Sequence, residues 1–449
     1  MIRSAATERP DRAPRGRRLR RRAITPRTRY RPGVAHPTFD RSPWLLEPTV
    51  SYLNHGSFGA CPEPVLEAQR VWRERLEAEP VRFLDRELEA QLDEVRQRVG
   101  AFLNADPEGI AFVPNATTAV STVLASLRFQ PGDELLASDH EYNATLNAMR
   151  AAAERDGARV VIARVPFPIH DPSQVVEAYV GAVTDRTRFA LVSQVTSPTA
   201  LVFPVTAIVR ELDRHGVDTL VDGAHAPGMV PVDVAAVGAA YWTGNGHKWL
   251  CAPKGAAILH VRADLRDRVR PLVTSHGAND DRRDRSLFRL TFDWTGTDDP
   301  TPILALPAAI RYVGGLHDEG WSGLMTTNAT MARHGRDAVC AALGIAAPAP
   351  DAMLGSMASI PLPGLAATRA AAVRLQAALY EEDRIEVPVM TWPVRAALPA
   401  GQAPAAVLLR ISAQRYNTPD EYTALAGTLA RRLLGPSSPR SLLGRLRRG

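Results

Sequence analysis

The feature that most narrows the fold is an alternation running from Ile110 to Val261. Short apolar runs (IAFV, ELLAS, RVVIAR, FALVSQV, DTLVDGAH, AAYWTGNGHK, AAILHV) are separated by stretches of helical length, among them NATTAVSTVLASL, Asn143–Arg155 and Ser173–Val183. A sheet with one wet face would alternate apolar and polar residues, whereas near-continuous apolar runs mark strands buried on both faces. Such strands joined by helices make a mostly parallel sheet between helical layers, so the predicted class is α/β. Ligands of these sheets sit at the carboxyl ends of the strands, and each motif discussed below follows a strand.

The flanks read differently. Upstream, Val50–Gly59 is predicted to be a short strand entering a Gly-rich turn. Helices follow from about Pro62 to Glu79 and from Asp85 to Leu103, the second carrying Leu88, Leu92, Val95, Val99 and Phe102 at helical spacing. Past Arg285, FRLTFDWTGTDDPTP is predicted to be extended and turn-rich, and TPILALPAAIRYVGG to start a helix. Helices around Ala367–Glu382 and over Pro419–Leu434, with IEVPVMTW and VLLRIS between them, complete an α+β part. The expected organisation is an Arg-rich disordered tail (1–38), a large domain with its N-terminal segment (39–309), a smaller C-terminal domain (310–435) and a short basic tail (436–449).

A net charge of +6 raises the question of nucleic acid, but the charge is localised. Residues 1–31 hold twelve arginines against Glu8 and Asp11, a local +10, so the rest of the chain sums to −4. The basic signal belongs to a tail without apolar periodicity, and the folded body is slightly acidic. Nucleic acid is therefore not expected as a partner. Its twin arginines precede no apolar run of a secretory signal. No stretch approaches the roughly 20 apolar residues that a membrane span needs. Three cysteines, Cys61, Cys251 and Cys340, at unpatterned spacing predict neither a disulfide framework nor a metal site, and point to a reducing cytoplasm.

Only two lysines occur, Lys248 and Lys254; every other basic side chain is arginine. An arginine replaces a lysine where charge alone is wanted, but it cannot condense with a carbonyl to form a Schiff base. Lys248, set in YWTGNGHKWL beside His247, is thus a candidate for imine chemistry, against the plain alternative of a lysine spared by chance. Lys254 is read as supporting the turn before the next strand. Asn115-Ala-Thr-Thr118 lies between a strand and a helix, where free N–H groups and two hydroxyls suit a phosphate; an ordinary helix cap is the alternative. Asp222, in VDGAHA, emerges at a strand end. It can cap the next turn, or it can face a pyridine nitrogen, the partner that keeps a pyridoxal ring protonated.

NHGSFG, NATTAV, DHEYNA, DGAHAPG, TGNGHKWLCAPKG, WTGTDDPTP and RISAQRYNT occur in this order between about Thr49 and Leu434. Together they resemble the class V aminotransferase family of pyridoxal-phosphate enzymes, most of all its isopenicillin N epimerase-like branch. The resemblance implies the fold-type-I architecture of such enzymes and pyridoxal 5'-phosphate as cofactor. It implies Lys248 as the Schiff-base lysine, Asp222 on the pyridine nitrogen and His225 at the ring hydroxyl. Ala116, Thr117 and Thr118 would take the phosphate with Asn245 and His247, and His140 would stack on the ring, or Tyr142 if the loop is offset. Gln194 would bond the ring oxygen, and Gly296 and Thr297 would reach a neighbouring subunit's phosphate in a homodimer. Arg410, with Asn54 near it, would grip a substrate carboxylate in a bidentate fork. An arginine left unpaired after the apolar AVLL would be costly, which supports that role from the residues themselves.

Desulfurases of the family carry a nucleophilic cysteine in a C-terminal loop; the matching region here, about Ala346–Gly364, has none, and Cys340 reads as a core residue. The expected function is action at the α-carbon of an amino acid or aminoacyl-type small molecule, as an epimerase, lyase or aminotransferase. Loss of the α-proton is ranked ahead of decarboxylation, because Arg410 would have to hold the group expelled. Two alternatives stand beside it: C–S lyase, desulfurase-like or decarboxylating chemistry, and a non-catalytic fold of the same family whose Arg-rich tail binds nucleic acid.

Overall fold

Alternate residues of the predicted strands face opposite ways, and both faces are covered. Along Ile110–Val113, Ile110 joins one apolar cluster, while Ala111 and Val113 join a second. Along Thr187–Ser193, Ala190 and Val192 go to the first cluster and Phe189 and Leu191 to the second. Double burial is the reason these runs are apolar throughout.

The computed structural model describes residues 40–435; the tails expected at 1–38 and 436–449 lie outside the described residues. In chain order the strands are β1 (Ser51–Tyr52), β2 (Ile110–Val113), β3 (Glu134–Ser138), β4 (Arg159–Ala163), β5 (Thr187–Ser193), β6 (Asp218–Asp222), β7 (Tyr241–Asn245), β8 (Ala257–Val261), β9 (Met357–Pro361), β10 (Ile385–Glu386), β11 (Val389–Trp392) and β12 (Ala406–Ser412). Seven of them form one sheet in the order β2-β8-β7-β6-β5-β3-β4, in which only β8 runs against its neighbours. A three-stranded antiparallel sheet, β11-β12-β9, carries Arg410, and β1 pairs with β10.

Helices expected from periodicity are found over Glu63–Ala78, Leu88–Leu103, Arg369–Glu381 and Pro419–Leu434. The last is closed by a capping box between Thr418 and Glu421. One reading needs correction: the start of FRLTFDWTGTDDPTP is not extended. Leu287–Asp293 is a helix, capped by the Ser286 side chain and buried through Phe288 and Phe292, whose rings lie 4.8 Å apart one turn from each other. A second is a detail of the N-terminal turn, where His55–Phe58 forms a single helical turn after β1. No helix among the described residues is long and apolar enough to cross a membrane.

Candidate functional site

The carboxyl ends of β2, β5, β6 and β7 open into a cavity of about 460 Å³. Asp222 ends β6. Its backbone pairs with Ser193 of β5 and Thr243 of β7, and its Oδ1 accepts from Ala224 N at 2.9 Å. Gly223 is required beside it, because a Cβ there would sit 2.7 Å from the Trp242 ring and 2.8 Å from the Thr243 carbonyl. Burial raises the Asp222 carboxyl above its ordinary value, against the pull of the Ala224 amide and the Lys248 amine.

Lys248 follows β7 and is half-buried, with Nζ 3.1 Å from His225 Nε2. The other ring nitrogen, Nδ1, lies 3.4 Å from Trp249 Nε1. An indole N–H only donates, so Nδ1 accepts and the proton of neutral His225 sits on Nε2. Nε2–H then donates to Lys248 Nζ, which accepts only as a neutral amine. Burial, then the charge of Arg410, pushes Lys248 down to about 7, with Asp222 opposing. Geometry and electrostatics agree that this amine is poised to be a nucleophile or a base.

At one end of the cavity lies the start of the helix Ala116–Ser126. Asn115 caps it, Oδ1 accepting from both the amide and the hydroxyl of Thr118 at 2.9 and 3.1 Å. Ala116 N donates to Asn245 Oδ1 at 2.9 Å, tying the helix to the end of β7. Thr117 lines the cavity, and neither its amide nor its hydroxyl has a protein partner among the described residues. His247 lines it too, with Nδ1 3.3 Å from the Ala256 carbonyl.

Arg410 of β12 lines another part of the same cavity. Its Nη1 donates to the Ser197 carbonyl and hydroxyl at 2.7 and 3.1 Å, and its Nη2 to Ser57 Oγ at 2.9 Å. Its Nε is buried with no partner. Burial lowers Arg410, His225 and His247, the last to about 4.

The remaining expected site residues are placed as follows. His140 is wholly buried outside the cavity, its ring nitrogens 2.7 Å from Thr199 Oγ1 and 3.0 Å from the Val165 carbonyl, among Phe167, Phe203 and Trp392. Tyr142, the offset alternative, lines the cavity instead. Gln194 turns away as well: its Oε1 accepts from Trp242 Nε1 at 3.0 Å, leaving Ser193 and Val195 as the lining residues. Thr118 has both donors committed to the cap, and Asn54 meets the cavity only through Ser57, whose hydroxyl donates to Asn54 Oδ1 at 2.5 Å. Gly296 and Thr297 are exposed and line no part of the Lys248 cavity. Sequence reasoning missed Ser57 and Ser197; single serines carry no spacing signal. It also left Lys254 outside the site, although Lys254 lines the cavity with Nζ 3.0 Å from the Gly59 carbonyl.

The aminotransferase class-V family model matches residues 52–376. The isopenicillin N epimerase of Amycolatopsis lactamdurans is 36% identical over 398 residues, covering 86% of this chain and 95% of that one. A probable chloroplastic L-cysteine desulfhydrase of Arabidopsis thaliana is 29% identical over 423 residues, 88% of this chain and 86% of the other. Among solved structures, a C-DES variant with glycine covalently linked to its pyridoxal-phosphate cofactor superposes with a TM-score of 0.70. It is 21% identical and covers 88% of this chain and 99% of that chain, a likeness of fold.

Proposed function

The chain belongs to the aminotransferase class-V family, whose cofactor is pyridoxal 5'-phosphate, and from that premise we propose that it removes the α-proton of an amino acid, with Lys248 as the base. The cavity suits the cofactor in size, since sites for molecules of this kind run from about 300 to 1,000 Å³. It suits it in chemistry as well, being lined by the guanidinium of Arg410, the amines of Lys248 and Lys254, two histidines and a single buried carboxylate, Asp222. The observation that carries the reading is the convergence of Lys248, Asp222 and Arg410 on this one cavity.

When bound, pyridoxal phosphate serves as an electron sink for a bond broken at the α-carbon of an amino acid. Asp222 keeps the ring nitrogen protonated, and its burial makes the charge pair stronger than it would be in water. His225 donates from Nε2 to the ring oxygen. Thr117 and the end of its helix, with Asn245 and His247, take the phosphate. Tyr142 covers the ring. Arg410, with Nε unpaired and its Nη groups braced by Ser57 and Ser197, holds the substrate carboxylate. Lys248 would take up the α-proton at Nζ, and would either return it to the α-carbon or hold it while a β-substituent departs. Gly296 and Thr297 reach the phosphate of the neighbouring subunit in a homodimer. Three unpaired cysteines suit a reducing cytoplasm.

Elimination at a C–S bond is the second reading. The relatives named as desulfhydrases favour it, and nothing in the cavity supplies a persulfide nucleophile. Cys61, Cys251 and Cys340 are buried and none lines the cavity. Incubation of the holoenzyme with a panel of L-amino acids in deuterium oxide tests the proposal. Deuterium at the α-carbon is the expected result, in recovered or inverted amino acid for epimerisation, or accompanied by a keto acid for elimination. Carbon dioxide release without α-exchange would overturn it.

A further inference from the structure

Six residues near the start of the described chain, Asn54–Gly59, reach two ends of the site at once. His55 is buried, and its Nε2 donates to the Lys248 carbonyl at 3.0 Å. Its Nδ1 accepts from the Tyr416 hydroxyl at 2.8 Å. A carbonyl only accepts, so the ring carries its proton on Nε2, and burial, lowering His55 to about 3, keeps it neutral. Two positions on, Ser57 Oγ receives the 2.9 Å hydrogen bond from Arg410 Nη2 and is itself fixed by Asn54, whose amide donates to Glu386 at 2.9 Å. Gly59 has φ +70°, and a Cβ there would lie 2.1 Å from the His247 carbonyl oxygen and 2.9 Å from that of Lys248. Only glycine lets the turn lie so close to the lysine's backbone. The Gly59 carbonyl in turn accepts from Lys254, so both lysines of the chain are engaged at this turn.

Ordinary packing would leave such a turn with contacts to apolar neighbours and to its own backbone. Here its polar contacts reach outside the turn, and among them are two groups carried by separate elements, the Lys248 backbone after β7 and the Arg410 guanidinium on β12. We infer that Asn54–Gly59 is a clamp that sets Lys248 and Arg410 relative to each other, with His55 and Ser57 as its positioning residues. The inference rests on the roles proposed above for Lys248 and Arg410, and it assigns the two halves of the turn separable effects.

L-Alanine and ethylamine, which differ only in that a carboxylate replaces one hydrogen of the amine-bearing carbon, serve as probes; their binding to holoenzyme is read from the cofactor absorbance. Ser57→Ala should weaken L-alanine about tenfold, the loss of one buried charge-assisted hydrogen bond, and leave ethylamine and the resting absorbance unchanged. Ser57→Thr, which keeps the hydroxyl, should restore L-alanine binding. His55→Leu should shift the resting absorbance and loosen the cofactor while preserving the ratio of the two affinities, and His55→Gln, which keeps a donor for the carbonyl, should reverse both. If Ser57→Ala weakens the two probes equally, or neither, the clamp is refuted even where the His55 variants do not fold. Arg410→Ala separates the possibilities. If it leaves the preference for L-alanine intact, the carboxylate reading of Arg410 fails and the inference with it. If it abolishes the preference while Ser57→Ala does not, the clamp alone fails.

Discussion

A lysine in water is charged at neutral pH, and a charged amine is neither nucleophile nor base. Lys248 is relieved of its proton by burial, by the guanidinium of Arg410 and by a histidine whose only proton already points at it. Trp249 fixes that histidine, since its indole N–H must be accepted by Nδ1. The neutral fraction of Lys248 therefore rises through about pH 7, where an exposed lysine would wait for about pH 10.4. Stripped of cofactor, the protein should reload pyridoxal phosphate at a rate whose half-rise falls near pH 7. Trp249→Phe frees the other tautomer, and the half-rise should move upward. A wild-type half-rise above about 9 would contradict the electrostatic account. At this scale the sequence was most readable where chemistry demands a residue type: an amine at Lys248, a carboxylate at Asp222, a guanidinium at Arg410. It was least readable in DHEYNA, where β3 ends at Ser138 and the next helix starts at Asn143. Which of two neighbouring ring-bearing side chains faces the cavity depends there on a tight turn. The turn buries His140 against Trp392 and leaves Tyr142 at the cavity.

Among elements, the parallel strands were legible because burial on both faces leaves a pattern that few other arrangements share. The helix Leu287–Asp293 was not, because it is short and its Phe and Thr content favours strands. Its determinants are local instead: the Ser286 cap and the Phe288–Phe292 contact one turn apart. The turn Asn54–Gly59 shows the same limit. Its glycine announced a bend, but the partners of His55 and Ser57 lie 193 and 353 positions away in the chain. Contacts of that range leave no periodicity to read.

For the whole molecule, the segment carrying Gly296 and Thr297 is exposed, and beside it Val81, Leu84, Leu88 and Trp294 line a groove of about 730 Å³. Exposed Val81, Leu272 and Val273 add to the apolar surface of a single chain, a face that the homodimer proposed above would cover. A mixed dimer of Lys248→Ala and Thr297→Asp chains should regain one competent cofactor site, because the intact Lys248 and intact Thr297 then meet across the interface. No regain would place Thr297 with its own subunit's site. The central claim concerns Lys248, and borohydride tests it most directly. Reduction of the yellow holoenzyme followed by peptide mapping should leave the cofactor's mass on the peptide containing Lys248, and Lys248→Ala should carry none. Label on the peptide containing Lys254, or retained by Lys248→Ala, would contradict the account.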